Sequence, residues 1–138
     1  MTNQELKDYL KNAYFEIESY RLNIRSLEYY KEKTVSKFPS NLAREQLRLI
    51  NGYILKDRQQ LERKVATITA WSKLIHNETR RTIFLDHYIN GLTWKEVKEK
   101  YHYSRSQVFE INKRNCQEIT DKLVCDIVPK CNNEAVTI

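Results

Sequence analysis

The chain has 138 residues, room for one compact domain or for a small domain with a helical appendage. Only two Gly and two Pro occur, too little punctuation for a sheet of hairpins, so the composition predicts an all-α fold. The net charge of +6, from 24 Lys and Arg against 18 Asp and Glu, suits a polyanionic partner.

The basic excess is spread along the chain, at +4 over residues 1–78 and +3 over 79–123. A solvated helical surface has the same appearance, so charge alone does not locate a site. Cys116, Cys125 and Cys131 form no CxxC pair, and His76, His87 and His102 stand in no ligand-like spacing with them. Neither a metal nor a cofactor is therefore expected. No apolar run approaches the ~20 residues that span a bilayer. The start of the chain lacks a basic-then-apolar leader, and a reduced, cytoplasmic protein without a membrane partner is the expectation.

Thr2-Asn3-Gln4-Glu5 has the form of a capping box. Leu6, Leu10, Ala13, Ile17, Tyr20, Ile24 and Leu27 then recur at alternating steps of four and three, which predicts one apolar seam on a helix from about 3 to 32. Thr34 to Asn41 interrupts the pattern, and Pro39 disfavours helix at the residue before it. Ser40 or Asn41 can cap a second helix ending near His76-Asn77. Its apolar positions are Leu47, Ile50, Ile54, Leu61, Val65, Ile68 and Ile75, with Gly52 and Asp57 weakening the middle. Residues 1–76 thus read as a long antiparallel helical hairpin. A two-helix hairpin has a thin core, which favours a homodimer through these N-terminal helices.

From Asn77 the signals change. A short helix holding Ile83, Phe84, Leu85, Tyr88 and Ile89 stops at Asn90-Gly91, where Gly can take the left-handed cap. Thr93-Trp94-Lys95-Glu96 is a second capping box, opening a helix to Tyr101. His102-Tyr103 make a tight connection, and Ser104-Arg105-Ser106-Gln107 opens a helix to about Leu123. Short helix, tight turn and longer helix outline a helix-turn-helix over 77–123. Val108, Ile111, Asn115 and Ile119 point one way along the last helix. The opposite face then displays Arg105, Ser106, Phe109, Glu110 and Lys113, a mixture suited to base edges and thymine methyls. Residues 124–138 read as a flexible tail.

The stretch from Gly91-Leu92-Thr93 through Glu96-Val97, Glu99-Lys100-Tyr101 and Ser104-Arg105 to Val108 and Ile111 resembles the helix-turn-helix of sigma-70 region 4. The likeness covers about residues 80–123. The layout, helical hairpin first and reader last, is similar to the ArpU-like, RinA-like and Xpf-like late-gene regulators of Gram-positive phages and prophages. The resemblance implies double-stranded DNA as partner. It implies base contacts at Arg105, Ser106, Phe109 and Glu110, and backbone contacts at Thr93, Trp94, Lys95, Gln107, Lys113 and Arg114. Three departures stand out. His102 occupies a turn position that is commonly Gly, Phe109 replaces a usually polar residue, and Glu110 replaces an amide.

The leading expectation is a sequence-specific transcriptional regulator, with RNA polymerase as a further candidate partner. Two other classes stay open: a phage DNA-packaging adaptor resembling a small terminase subunit, and an interaction protein that docks on polymerase without binding DNA. No phosphate-cradling glycine loop or nucleophile–base arrangement is recognisable, so an enzyme is not expected.

Overall fold

In a computed structural model of the chain, the backbone is described for residues 1–137 and the side chains for residues 1–124. Among the described residues every regular element is helical: α1 (Asn3–Lys37), α2 (Ser40–Ser72), α3 (Glu78–Tyr88), α4 (Trp94–Tyr101) and α5 (Arg105–Thr137). The tail expected over 124–138 lies, beyond Val124, outside the residues whose side chains are described. Among the described residues no helix is long and apolar enough to cross a membrane.

Helix α1 begins where its cap predicts. The Glu5 N–H donates to the Thr2 hydroxyl oxygen at 3.1 Å, and that hydroxyl donates to the Glu5 carboxylate at 3.2 Å. The helix continues beyond the expected end at residue 32. Thr34 leaves the heptad pattern but stays helical, its hydroxyl donating to the Tyr30 carbonyl four residues back at 2.8 Å. The break narrows to Phe38-Pro39, after which the Pro39 carbonyl accepts the Ala43 N–H at 2.8 Å and α2 is under way. Helix α2 stops earlier than the pattern suggests. Lys73, Leu74 and Ile75 each bond the carbonyl three residues back, a tighter winding that ends the α-helix and still buries Ile75 completely.

The chain divides into two compact units, Met1–Tyr14 with Thr67–Ile138, and Phe15–Ala66. In the first, α3, α4 and α5 pack against one another. Ile83, Val97 and Val108, one from each helix, form a buried cluster ringed by Leu92, Trp94, Tyr101, Tyr103 and Ile111. Leu6, Leu10 and Ala13 of α1, Phe84 of α3, and Cys116 and Ile119 of α5 are buried in the same unit. Each fully buried large aliphatic side chain contributes about 1.5–3 kcal/mol relative to exposure. Burial pushes the Cys116 thiol up to about 11, so it stays protonated and behaves as a small apolar group.

The second unit is leaner. Ile17 and Ile54 are buried, while Tyr20, Ile24 and Leu27 of the expected seam are only half-buried. Lys64 pairs with Glu16 at 2.6 Å and Arg58 with Glu28, in both cases across from α2 to α1.

Candidate nucleic-acid interface

Three caps place the last three helices. Asn77 opens α3, its side chain accepting the Arg80 N–H at 2.9 Å. After α3 the chain turns at Gly91, whose φ of 79° is a left-handed conformation that glycine adopts without a Cβ clash. Thr93 then caps α4 with both halves of the capping box: its hydroxyl oxygen accepts the Glu96 N–H, and the Glu96 carboxylate accepts the Thr93 N–H. The backbone bond to Thr93 holds the Glu96 carboxyl below its usual range.

Helix α4 ends at His102, with φ 56° and ψ 41°. His102 thus takes a left-handed conformation uncommon for a residue with a Cβ, and the N–H groups of His102 and Tyr103 both reach the Lys98 carbonyl. Ser104 and Gln107 then form a reciprocal pair, Gln107 N–H to the Ser104 hydroxyl oxygen at 3.2 Å and Ser104 N–H to the Gln107 side-chain carbonyl at 2.7 Å. That oxygen of Gln107 is therefore occupied by the cap, leaving the amide NH₂ outward-capable.

These caps set the rotation of α5. Val108, Asn115 and Ile119 are buried and Ile111 is half-buried. Arg105, Ser106, Phe109, Glu110, Lys113 and Arg114 are exposed. Arg105, Phe109 and Lys113 follow at steps of four and so share one face, with Ser106 and Glu110 beside them. Phe109 is 71% exposed, the most exposed of the chain's large hydrophobic side chains among the described residues. Between this face and α4 lies a groove of about 830 Å³, bordered by Trp94, Lys95, Lys98, Arg105 and Phe109, with Asn112 beneath. Thr93 and Lys95 are exposed.

Trp94 differs from the other residues named for backbone contact, because its side chain is largely committed to packing. The indole stacks on His87 at 3.6 Å between centroids, and Tyr14 stacks on the same imidazole at 4.4 Å. Held between two rings, with Nδ1–H donating to the Leu92 carbonyl at 2.6 Å, His87 has its pKa lowered to about 4 by burial. The imidazole is neutral at pH 7, and it anchors the start of α4.

Two polar networks escaped the sequence reading. Asp86 is buried and accepts from Tyr101 at 2.6 Å, Lys100 at 2.9 Å and Asn90 at 3.2 Å. Burial pushes its carboxyl upward, but the three hydrogen bonds outweigh burial and hold it below its ordinary value. Burial and then the bond to Asp86 raise the Tyr101 phenol to about 12, so it serves as a donor. Arg80 bridges α3 to α5, donating to Asn115 Oδ1 at 3.0 Å and Glu118 Oε1 at 2.9 Å, while Asn115 returns a bond to the Arg80 carbonyl. Tyr88 donates to Asn112 Oδ1 at 3.0 Å. With these bonds the described side chains leave no buried nitrogen or oxygen unpaired. Such satisfaction fixes the orientation of α5 against α3 more tightly than apolar contact alone.

Among the described residues no group of three or more His, Cys, Asp or Glu side chains gathers to hold a metal ion. Comparison with protein-family models, with curated proteins and with solved structures gives no match to this chain.

Proposed function

We propose that the chain is a sequence-specific regulator of transcription that seats α5 in the major groove of duplex DNA. In this reading α3, α4 and α5 act as a helix-turn-helix resembling sigma-70 region 4, of the kind used by phage and prophage late-gene regulators. The observation that carries it is the division of α5 after Ser104. Every strongly apolar position of its first three turns except Phe109 is turned into the unit, and the remaining face presents a fork donor, a hydroxyl, a carboxylate and an exposed ring. Arg105 suits guanine O6 and N7, and Ser106 serves as donor or acceptor. Lys95, Lys113, Arg114 and the free amide of Gln107 suit the phosphates on either side. The capped start of α4 at Thr93 presents helix-end amides, which favour an anion.

Self-association through residues 1–76 would supply two readers. The ion pairs 16–64 and 28–58 progress in opposite senses along α1 and α2, which supports an antiparallel hairpin. Selection from a random pool of duplex DNA tests the function. An enriched motif, with two half-sites about one helical turn or a multiple apart, is the expected result. Retention no better than for random DNA at moderate salt would sink it. A closed ring in solution would instead favour a packaging adaptor.

A further inference from the structure

The unit Phe15–Ala66 exposes ten large hydrophobic side chains, and three of them form a line. Phe15, Leu22 and Tyr29, exposed by 61%, 49% and 57%, follow one another at intervals of seven on α1. An α-helix drifts only ~20° per seven residues, so the three lie within about 40° of one another. At ~100° per residue they sit on the side of α1 opposite Ile17 and Ile24, which face the unit's interior. Helix α1 therefore has a second apolar line that is largely exposed. Its charges are ordered. Glu18 and Arg25 are exposed on the same side, flanking Leu22, and neither enters an ion pair among the described residues.

From this face we infer a two-fold, antiparallel contact between two copies of the chain, centred on Leu22; it deepens the self-association in the proposed function. A two-fold axis at Leu22 sets each residue beside one equally far on the other side of Leu22 in the second copy. Phe15 and Tyr29, each seven residues away, then meet across the axis. Glu18, four residues before, falls beside Arg25, three residues after, and the symmetry makes this pair twice. A parallel arrangement would instead set Glu18 against Glu18 and Arg25 against Arg25, so the charge order selects the antiparallel one. An isologous contact of this kind closes at two copies rather than growing into a filament. The occupant is a second copy because the face is complementary to itself.

The test is the mass of the full chain in solution, measured by sedimentation equilibrium without DNA. The chain is expected to dimerise. Leu22→Glu should weaken the dimer on the order of a hundredfold, since it removes the central apolar contact and faces two like charges across the axis. Helicity should be unchanged, because Leu22 is half in water in a single chain. Glu18→Arg and Arg25→Glu should each weaken the dimer roughly tenfold alone, and mixing the two variants should restore it by bringing opposite charges together. A monomeric chain, a dimer indifferent to Leu22→Glu, or a mixture no tighter than its components overturns the inference. Its failure leaves the DNA reading intact, because Leu22→Glu should still bind one half-site. Loss of DNA specificity with an intact dimer would overturn only the other.

Discussion

Two stretches of similar composition fold to different degrees of completion. Between Thr67 and Val124 the only large hydrophobic side chains left exposed are Phe109 and Val124, and the buried polar groups are satisfied. Between Phe15 and Ala66 only Ile17, Thr34, Ala43 and Ile54 are buried, against ten exposed large hydrophobics. The first stretch has three helices that pack on one another, with several buried residues from α3 and α5 and Val97 from α4. The second has two helical segments tied by two ion pairs with exposed or part-exposed partners, which contribute little in water. Where a unit completes its own core, an exposed aromatic such as Phe109 is an exception, and the proposed function uses it as a DNA contact. Where it does not, many apolar residues stay exposed, and the inferred dimer would cover some of them.

The largest expected effect separates the two stretches by stability. Phe84→Ala, emptying a fully buried site in α3, should cost about 3–5 kcal/mol in urea unfolding. Leu49→Ala, at a site 46% exposed, should stay within about 0.5 kcal/mol when measured on dilute, monomeric chain. Equal costs would break the comparison.

Acid should act on the first stretch next. His87 titrates near 4 when folded and near its ordinary 6.5 when unfolded. The unfolded chain therefore binds the proton first as pH falls. The contribution of His87 is whole above about pH 6.5 and is lost progressively down to about 4, by roughly 3 kcal/mol at the limit. The Asp86 and Glu118 carboxyls, held low by their hydrogen bonds, add losses only at lower pH. Urea unfolding across this range checks the slope. His87→Phe keeps a ring between Tyr14 and Trp94 and should flatten the curve; an unchanged slope would assign the acid sensitivity elsewhere.

The contrast also explains what the sequence revealed. Caps at Thr93 and Ser104, and the inward set Val108, Ile111, Asn115 and Ile119, were legible because each depends on neighbours a turn or so away along the chain, although Ile111 is only half-buried. The exposed positions of α5 followed from the same periodicity. The stack of Tyr14, His87 and Trp94 was not legible, nor was the bridge from Arg80 to Asn115 and Glu118. Those partners are as much as 73 and 38 residues apart, and no local spacing rule reports them. Helix ends differ from the spacing at Thr34, where α1 runs on to Lys37, and after Ser72, where a tighter winding closes α2. On α1 the seam from Leu6 to Ile17 is buried as its spacing predicts, whereas Phe15, Leu22 and Tyr29 lie on a second stripe that the spacing of the first does not reveal.

A smaller effect probes the proposed DNA-binding face of α5. Arg105→Ala should leave stability nearly unchanged, since the side chain is exposed, yet cost about 1–3 kcal/mol on the selected DNA site. It should also relax the base preference at one position. Uniform weakening on all sequences would reassign Arg105 to the phosphates. Replacing thymine by deoxyuridine in the selected site should weaken the wild-type chain and leave Phe109→Ser indifferent, if the ring packs on a thymine methyl.

The smallest effect concerns the turn that joins the two last helices. His102 is the one non-glycine residue with positive φ among the described residues, and that conformation crowds a Cβ against the following carbonyl at a cost of roughly 1–2 kcal/mol. Glycine would relieve the crowding but gain freedom in the unfolded chain, so His102→Gly should stabilise by only about 0.5–1 kcal/mol. His102→Val, whose branched side chain tolerates this angle poorly, should destabilise by a similar amount. Neither substitution removes the Lys98 carbonyl bonds that close the turn, because both keep the backbone N–H groups of residues 102 and 103. DNA affinity should therefore follow stability in both variants. A glycine variant that is more stable but loses base preference would show that the strained angle at His102, and not merely the presence of a turn, aims α5.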